Sequence, residues 1–408
     1  MIPVCTAEEV RALDQAVIEG AGVPSAVLME IAGRGVAEVI HERFPHGEIG
    51  ILCGPGNNGG DGYVAARWLT HWGRDVRIWG ATPKTDDAIM NRHLCVRMDI
   101  PFLSPMDVIS GATVAVDALL GTGQNHAPKG DIAIAIEALS GAPHCVAVDI
   151  PTGVNANTGQ AMEPSVSADI TVTLGRWKTG LLCKPGSELA GDVYCVDIGL
   201  DLAHTVDPSL AYSSAHLLEQ KDIDSWRPVP CGSDAKWDKG HVAILAGGGA
   251  AVLAAHGAFR GGAGLVTLLA PRKDWESLHG LWPEVILAEP GSLNPDRHDV
   301  LVMGPGLGLE NPDRVVQLWN DFPGGIVADA DALTIFSQQK CINKARHRRI
   351  ITPHSAEAAR LLGQTRSEVE DNRISAIQQL LQRFDTVVLK GPHTLIGHNN
   401  LWFNPTGN

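Results

Sequence analysis

The sequence predicts an α/β protein of two consecutive domains, each a largely parallel sheet with helices packed on it. Three observations carry this. The chain has 408 residues, about two to three times the usual domain length, so two separately cored domains are expected. Hydrophobic residues make up 44% and charged residues 19%, with 45 glycines against 5% aromatics, the balance of a globular chain whose apolar elements are joined by glycine-rich turns. From Glu48 onward short β-rich runs alternate with longer mixed segments, the pattern of βα units.

In chain order, Thr6 and Glu9 form a capping box, and Val10, Leu13 and Val17 follow at helical spacing, so a helix opens the chain. A second helix follows Pro24. The runs IGILC, DVRIWG, TVAVDALLG, CVAVDIPTG, DITVTLG and DVYCVDIG then complete a doubly wound domain over residues 1–205. Residues 206–235 lose the alternation and gather proline, serine and charge, which marks a linker. A second series fills 236–408: HVAILAGG, GAGLVTLLAP, HDVLVMGPGLG, GGIVADADAL, RRIITPHSAEAARLL and DTVVLKGPHTLI.

A formal charge of −14 offers no general attraction to nucleic acid or an anionic membrane, so a phosphate-bearing ligand must be held by local backbone dipoles. Small-molecule ligands are expected, with no nucleic acid and no membrane partner. The start MIPVCTAEEV has neither the basic flank nor the apolar centre of a signal peptide, and no apolar run reaches about 18 residues. A cytoplasmic location is expected. Cys5, Cys53, Cys95, Cys145, Cys183, Cys195, Cys231 and Cys341 are scattered without a C-x-x-C pair and read as reduced thiols.

The loop from Gly54 to Gly62 (GPGNNGGDG) lies between strand IGILC and the helix of YVAARWL. Its glycines let successive backbone N–H groups approach an anion at a helix N-terminus, which suits a diphosphate. The loop contains G-x-G-x-x-G, but the next strand, DVRIWG, ends without the acidic residue that would bind a ribose hydroxyl, which disfavours an ordinary dehydrogenase. Two more strand ends carry polar clusters, Gly121 to Asn125 and Thr152 to Asn155. In an open α/β sheet these ends share one edge, so Asn58, Asp117, Asp149 and Thr152 can converge, and their hard oxygens suit an alkali or alkaline-earth cation. Either aspartate alone could be a helix cap.

Together GPGNNGGDGYVAARWL, VDALLGTG, AVDIPTGVNANTG and ADITVTLGRWKTGL resemble the NAD(P)H-hydrate epimerase domain, over essentially all of 1–205. The resemblance implies a Rossmann-like fold, a bound potassium ion, and a hydrated NADH or NADPH as substrate, whose carbinolamine carbon has two configurations. By position it assigns the hydrate to Asn57, Asn58, Gly59, Gly60, Asp61, Gly121, Thr122, Gly123, Gln124, Asn125, His126, Ala127 and Asp149, and potassium to Asn58, Asp117 and Thr152. Inverting a carbinolamine needs a carboxylate and a proton donor. Asp149 is the first candidate, with Asp169 and Lys178 as further ones; either of these two could equally be a structural ion pair.

The later half resembles the ADP/ATP-dependent NAD(P)H-hydrate dehydratase domain, a ribokinase-like α/β fold, through KWDKGHVAILAGG, GAFRGGAGLVTLLAP, VMGPGLG, VADADAL, TPHSAEAARLL and VVLKGPHTLI. Gly304 to Gly308 is a backbone-exposing loop after a buried strand. Lys390, Gly391, Pro392, His393 and Thr394 place a cation and a hydroxyl at another strand end, partners for ADP or ATP with magnesium. Gly306 and His354 take the substrate side in the resemblance; His354 could also simply cap its helix, with Ser355 as N-cap. Two departures count against turnover there. The loop after Gly247 to Gly249 is short, and the chain ends at Asn404 to Asn408, where the family continues into a Gly/Ser-rich loop with a catalytic aspartate. The C-terminal domain is therefore expected to be incomplete, with little or no dehydratase activity and apolar surface left on one side of its sheet. A small-molecule kinase and a non-catalytic nucleotide-binding module remain as alternatives. Self-association through a sheet edge is compatible with the sequence.

Overall fold

The computed structural model of the protein describes residues 1–211, 213–227, 229, 231, 235–339, 342 and 347–406. It divides into two compact units, Met1–Leu217 and Leu218–Asn408, so the boundary falls within the stretch expected to be a linker.

The first unit opens with β1 (Ile2–Cys5) and α1 (Ala7–Gln15). The capping box is formed: the Glu9 N–H donates to Thr6 Oγ1 at 3.2 Å, and the Thr6 N–H to Glu9 Oε2 at 2.7 Å. The helix then widens into a π turn over Ala16–Gly20. There follow α2 (Ser25–Arg43), β2 (Ile49–Cys53), α3 (Asn57–His71), β3 (Val76–Gly80), α4 (Asp86–Arg97), α5 (Pro105–Ile109), β4 (Val114–Ala118), α6 (Asp131–Leu139), β5 (His144–Val148), β6 (Ile170–Leu174), β7 (Trp177–Lys178), α7 (Gly186–Leu189), β8 (Asp192–Val196), α8 (Ala203–Val206) and β9 (Ala215–Leu217).

Six of these strands form a parallel sheet in the order β3-β2-β4-β5-β6-β8. Strands β2, β4 and β6 are buried along their whole length, because apolar layers cover both faces. Ile51, Val116 and Leu69 belong to one layer, and Leu52, Ala115 and Leu139 to the other. That double covering is why the strands read as unbroken apolar runs. The chain leaves β2 for β3 on one side and returns to β4 on the other, so the loops at their carboxyl ends part and open a crevice, the usual ligand position in such sheets.

Strands β1, β7 and β9 escaped the sequence reading. β1 pairs antiparallel with β9 and parallel with β7. Each is two to four residues long, too short for periodicity to show, and the pairing joins segments far apart in sequence. Residues 215–217 are therefore a strand rather than linker.

The second unit contains α9 (Gln220–Trp226), β10 (His241–Leu245), α10 (Gly248–Arg260), β11 (Leu265–Leu269), β12 (Ile286–Ala288), β13 (Val300–Met303), α11 (Pro312–Asp321), β14 (Gly325–Ala328), α12 (Asp331–Gln338), β15 (Arg349–Ile351), α13 (Ser355–Leu362), α14 (Arg366–Asp371), α15 (Arg373–Leu381), β16 (Thr386–Leu389), β17 (Thr394–Gly397) and β18 (Leu401–Asn404). Strands β12-β11-β10-β13-β14-β15-β16 run parallel in that order, and β17 and β18 add antiparallel. Burial alternates in β13, β14, β16 and β17. One face, with Leu301, Met303, Ile326 and Leu389, is sealed, while the registered row Val302, Val327 and Ile350 on the other is half-buried.

Cys5, Cys53, Cys95 and Cys145 are buried and carry no disulfide; Cys341 lies outside the described residues. Among the described residues no helix is long and apolar enough to cross a membrane.

Arg349 is fully buried and donates to the carbonyls of Trp319 (2.8 Å), Phe322 (2.6 Å), Gly324 (2.7 Å) and Arg348 (3.1 Å), tying the end of α11 to β15. Arg349→Met should orphan these carbonyls and cost about 3 kcal/mol or more, read as a lower urea midpoint for the second unit. An unchanged midpoint would show that water replaces the guanidinium without loss.

Candidate active site

The loop leaving β2 is set by packing. A Cβ on Gly54 would stand 1.6 Å from the Leu119 carbonyl oxygen, so only glycine lets the β2 and β4 exits lie side by side. Gly56 then starts α3 with no side-chain cap, which leaves the first-turn N–H groups to a ligand.

The β4 and β5 exits are stitched together by Asp117 and Thr152, both fully buried. Asp117 Oδ1 accepts from the Thr152 hydroxyl at 2.7 Å and the Leu119 N–H at 3.1 Å, while Oδ2 accepts from the Thr152 N–H at 2.7 Å. Thr152 Oγ1 in turn accepts from the Leu120 N–H at 3.0 Å. Burial pushes the Asp117 carboxyl up to about 6, although the Thr152 and Leu119 donors pull the other way.

Asp149 follows β5 in the left-handed region, φ 70°, a strained setting for a residue with a Cβ. Its carboxylate accepts from the Leu174 N–H at 3.3 Å and forms an ion pair with the Lys178 ammonium. The Lys178 side chain is 1% exposed and also donates to Thr173 Oγ1 at 3.0 Å and the Leu174 carbonyl at 2.8 Å. Gly121 lies between two functional oxygens, since a Cβ there would be 3.3 Å from both Asn58 Oδ1 and Asp149 Oδ2. Asn58 Oδ1 and Nδ2 are buried and meet no hydrogen-bond partner among the described residues.

Asp149 and Lys178 face a cavity of about 960 Å³ that Asp61 and Asp14 also line. Desolvation, reinforced by Asp149 and Asp14 against Lys178, drives the Asp61 carboxyl well above the usual carboxylate range. Desolvation likewise lifts Asp14 to about 6, with Asp149 adding and Lys178 opposing.

Asn57, Asn58, Asp61, Gly121 to His126, Asp149 and Lys178 therefore meet at one cavity. Several expected residues do not. Asp169 stands just before β6 at the opposite, amino-terminal edge of the sheet, where its carboxylate accepts from the Cys145 N–H at 2.9 Å, whereas Lys178 lies at the cavity, ion-paired with Asp149. Gly59 and Gly60 are buried behind the wall, with added Cβ atoms 2.0 Å from the Gly54 carbonyl and 2.5 Å from Met29. Ala127 does not line the cavity. Gln124 does, but its amide is used internally: Oε1 accepts from the Gly153 N–H at 2.8 Å and Nε2 donates to the Val154 carbonyl at 2.9 Å. Asp117 and Thr152 sit behind the wall as its brace. Asp14 was missed, although a signal existed, since it interrupts the apolar stripe Val10, Leu13 and Val17 with a carboxylate.

Asn58, Asp117 and Thr152 suit a hard cation. Asn58 Oδ1 is an unpaired buried acceptor, Asp117 Oδ2 keeps a lone pair beyond its one donor, and no sulfur or imidazole takes part.

In the second unit the corresponding strand ends also share one edge. Lys390, after β16, donates to Asp329 Oδ1 and Oδ2 at 2.8 and 3.0 Å, so its charge already has a partner. Thr394 Oγ1 donates to the Gly391 carbonyl at 2.9 Å and closes the β16–β17 turn. Gly391 and His393 have positive φ in that turn, Pro392 lying between them. Gly306 adopts φ 64° and abuts Gly247, whose added Cβ would be 2.1 Å from its carbonyl oxygen. His354, not Ser355, caps α13: its Nδ1 accepts from the Ala356 N–H at 3.1 Å, and Glu357 Oε2 accepts from the His354 N–H at 2.8 Å. The loop between β10 and α10 is two residues long, and Gly248 and Gly249 already belong to the first turn of α10.

Residues 25–180 match a family model described as YjeF-related protein N-terminus, and residues 242–408 one described as NAD(P)H-hydrate dehydratase. The chain is 35% identical to the bifunctional NAD(P)H-hydrate repair enzyme Nnr of Thermanaerovibrio acidaminovorans, with 95% of this chain and 82% of that protein covered. It is 32% identical to the Escherichia coli protein of the same name, with 96% and 78% covered. The solved ADP/ATP-dependent NAD(P)H-hydrate dehydratase of Bacillus subtilis, co-crystallised with ATP and Mg2+, is 25% identical over 47% of this chain and 72% of that one, at a TM-score of 0.41.

Thr152→Val should remove a hydroxyl that both donates to Asp117 and accepts from Leu120, lowering unfolding free energy by about 1–3 kcal/mol in urea titration. A neutral effect would mean that the exits of β4 and β5 do not depend on this brace.

Proposed function

We propose, for a chain that belongs to the family of bifunctional NAD(P)H-hydrate repair enzymes, that the first unit interconverts the R and S forms of hydrated NADH or NADPH in the cavity beside Asp149. The observation that carries this reading is the buried Asp149–Lys178 pair at a cavity which also holds the uncapped start of α3. Anionic and cationic needs of the substrate are thereby met in different places. The diphosphate has backbone N–H groups at α3, and the ring has carboxylates.

The chemistry follows from the carbinolamine. The hydroxyl leaves as water while the ring nitrogen's lone pair forms a C=N bond, and water returns on the other face. The planar cation between these events is stabilised by the Asp149 carboxylate, which Lys178 orients and keeps from collapsing onto other acids. Asn58, Asp117 and Thr152 would hold potassium, whose charge offsets that of the anionic substrate. A cytoplasmic setting belongs to the same reading, since eight scattered cysteines without a C-x-x-C pair suit a reducing compartment.

The second unit supplies the nucleotide-dependent module of the same family. Lys390, now paired with Asp329, is the cation offered to the phosphates of ADP or ATP with magnesium, the Gly391–Thr394 turn holds the nucleotide, and Gly306 and His354 stand on the substrate side. Its strand-end loops are formed, so the geometry lends no support to the expected loss of turnover.

Asp149→Ala should abolish exchange between hydrate epimers in proton NMR while circular dichroism stays native. Retained exchange would remove Asp149 from the chemistry, and hydrate-induced shifts without exchange in the unsubstituted protein would favour a binding module. Potassium should raise the melting temperature of the native protein relative to the same concentration of lithium, and Asn58→Ala should erase that difference.

A further inference from the structure

Several carboxyls of the first unit's cavity are unused by the chemistry above, and Asp14 is the one whose setting in the helix has no structural account. Asp14 projects from the last turn of α1 into the space that Asp61, Asp149 and Lys178 also line. A structural aspartate on a helix caps a turn or pairs with a surface cation, and Asp14 does neither. Among the described residues its half-buried carboxylate takes no hydrogen bond and meets Lys178 and Asp149 through charge alone. Val10, Leu13 and Val17 around it are core residues, so an apolar side chain would pack here at lower cost. Directly after it the helix opens into the π turn Ala16–Gly20, an irregularity concentrated at functional sites.

We infer that Asp14 is the second proton-transfer group of the epimerisation: it gives the departing hydroxyl its proton on one face of the ring, and Asp149 takes the proton of the water returning to the other. This rests on the epimerase reading. In the first step the C–O bond breaks with its electron pair passing to oxygen, which takes the Asp14 proton and leaves as water, while the nitrogen lone pair forms C=N. In the second, water adds to the opposite face, the C=N pair returns to nitrogen, and the proton shed by that water passes to Asp149. Cavity water carries it back to Asp14, so the cycle consumes nothing. Inversion calls for two groups, since one fixed group meets only one face, and Asp14 on α1 and Asp149 at the end of β5 reach the cavity from different elements.

The charged groups around Asp14 agree with the role. Lys178 and Asp149 face it from the β6 and β5 exits, and Asp61 from α3. Arg11 and Glu19 line the same cavity from α1 and the π turn. Asp201, paired with Arg176, lies on the turn Leu200–Leu202 packed against α1. With its carboxyl lifted to about 6, Asp14 holds its proton below that pH and gives it up above, close to neutrality where proton transfer is effective.

The test compares epimer exchange by the full chain and by Asp14→Asn and Asp14→Glu across pH. Asp14→Asn should lower kcat by about 100-fold or more, leave KM for the hydrate within about threefold, and abolish the fall in rate as pH rises through about 6. Asp14→Glu should regain part of the rate with that fall displaced. A kcat within about threefold of the unsubstituted protein and an unchanged pH profile in Asp14→Asn, or a loss confined to KM, would overturn the role. If circular dichroism shows that Asp14→Asn is unfolded, Asp14→Glu decides, because an undisplaced pH limb would equally overturn it. Absence of exchange in the unsubstituted protein would instead withdraw the epimerase reading, and this inference with it.

Discussion

The first unit's site depends on one interaction, the buried ion pair between Lys178 and Asp149. As a contribution to stability such a pair is close to neutral, since desolvating two charges offsets their attraction. Its consequence is positional. Lys178 also holds Thr173 and the Leu174 carbonyl, so it fastens the exit of β5 to the exit of β6 and keeps Asp149 in a left-handed conformation. It is also the cation that opposes mutual repulsion among Asp149, Asp61 and Asp14. With Lys178 present, Asp61 and Asp14 keep raised carboxyls beside the ion-paired Asp149 within one small space, and placing carboxyls in unlike environments is the usual means by which acid and base roles are separated.

Around that pair the scaffold works by close approach. Gly54 lets the β2 and β4 loops touch, and Asp117 with Thr152 binds the β4 loop to the β5 loop. The switch in strand order opens the crevice, and these contacts fix its walls. Gly121 completes the arrangement by leaving room between Asn58 and Asp149. The second unit reaches a comparable edge by other means. There Ala330 and His393 take positive φ and Lys390 rests on Asp329, so its cation is held in reserve by a carboxylate rather than buried.

Much of this could be read from residues alone, for identifiable reasons. Strands covered on both faces must be unbroken apolar runs, so β2, β4 and β6 declared themselves. The loops after them carried polar residues at strand ends, where topology gathers ligands, so Asn58, Asp117, Asp149 and Thr152 were found together. Asp169 and Lys178 flank the same strand, and only direction separates them: the residue before a parallel strand lies at the edge away from the crevice. Gln124 was legible as polar, but nothing in sequence tells a side chain that braces a loop from one that meets a ligand. Asp14 was hidden because a helix so early in the chain reads as cover for the sheet, and its carboxylate in an apolar stripe was passed over. Strands β1 and β9 were illegible, since their pairing is created by the finished fold.

Lys178 and Asp149 act as one unit in setting the charge of the cavity. A double-mutant cycle on the epimer exchange rate tests it, using Lys178→Met, Asp149→Asn and the pair together. Non-additive losses, with the double variant no slower than the worse single one, are what this account predicts. Losses that add in free energy would mean that the two residues act independently, and would contradict it.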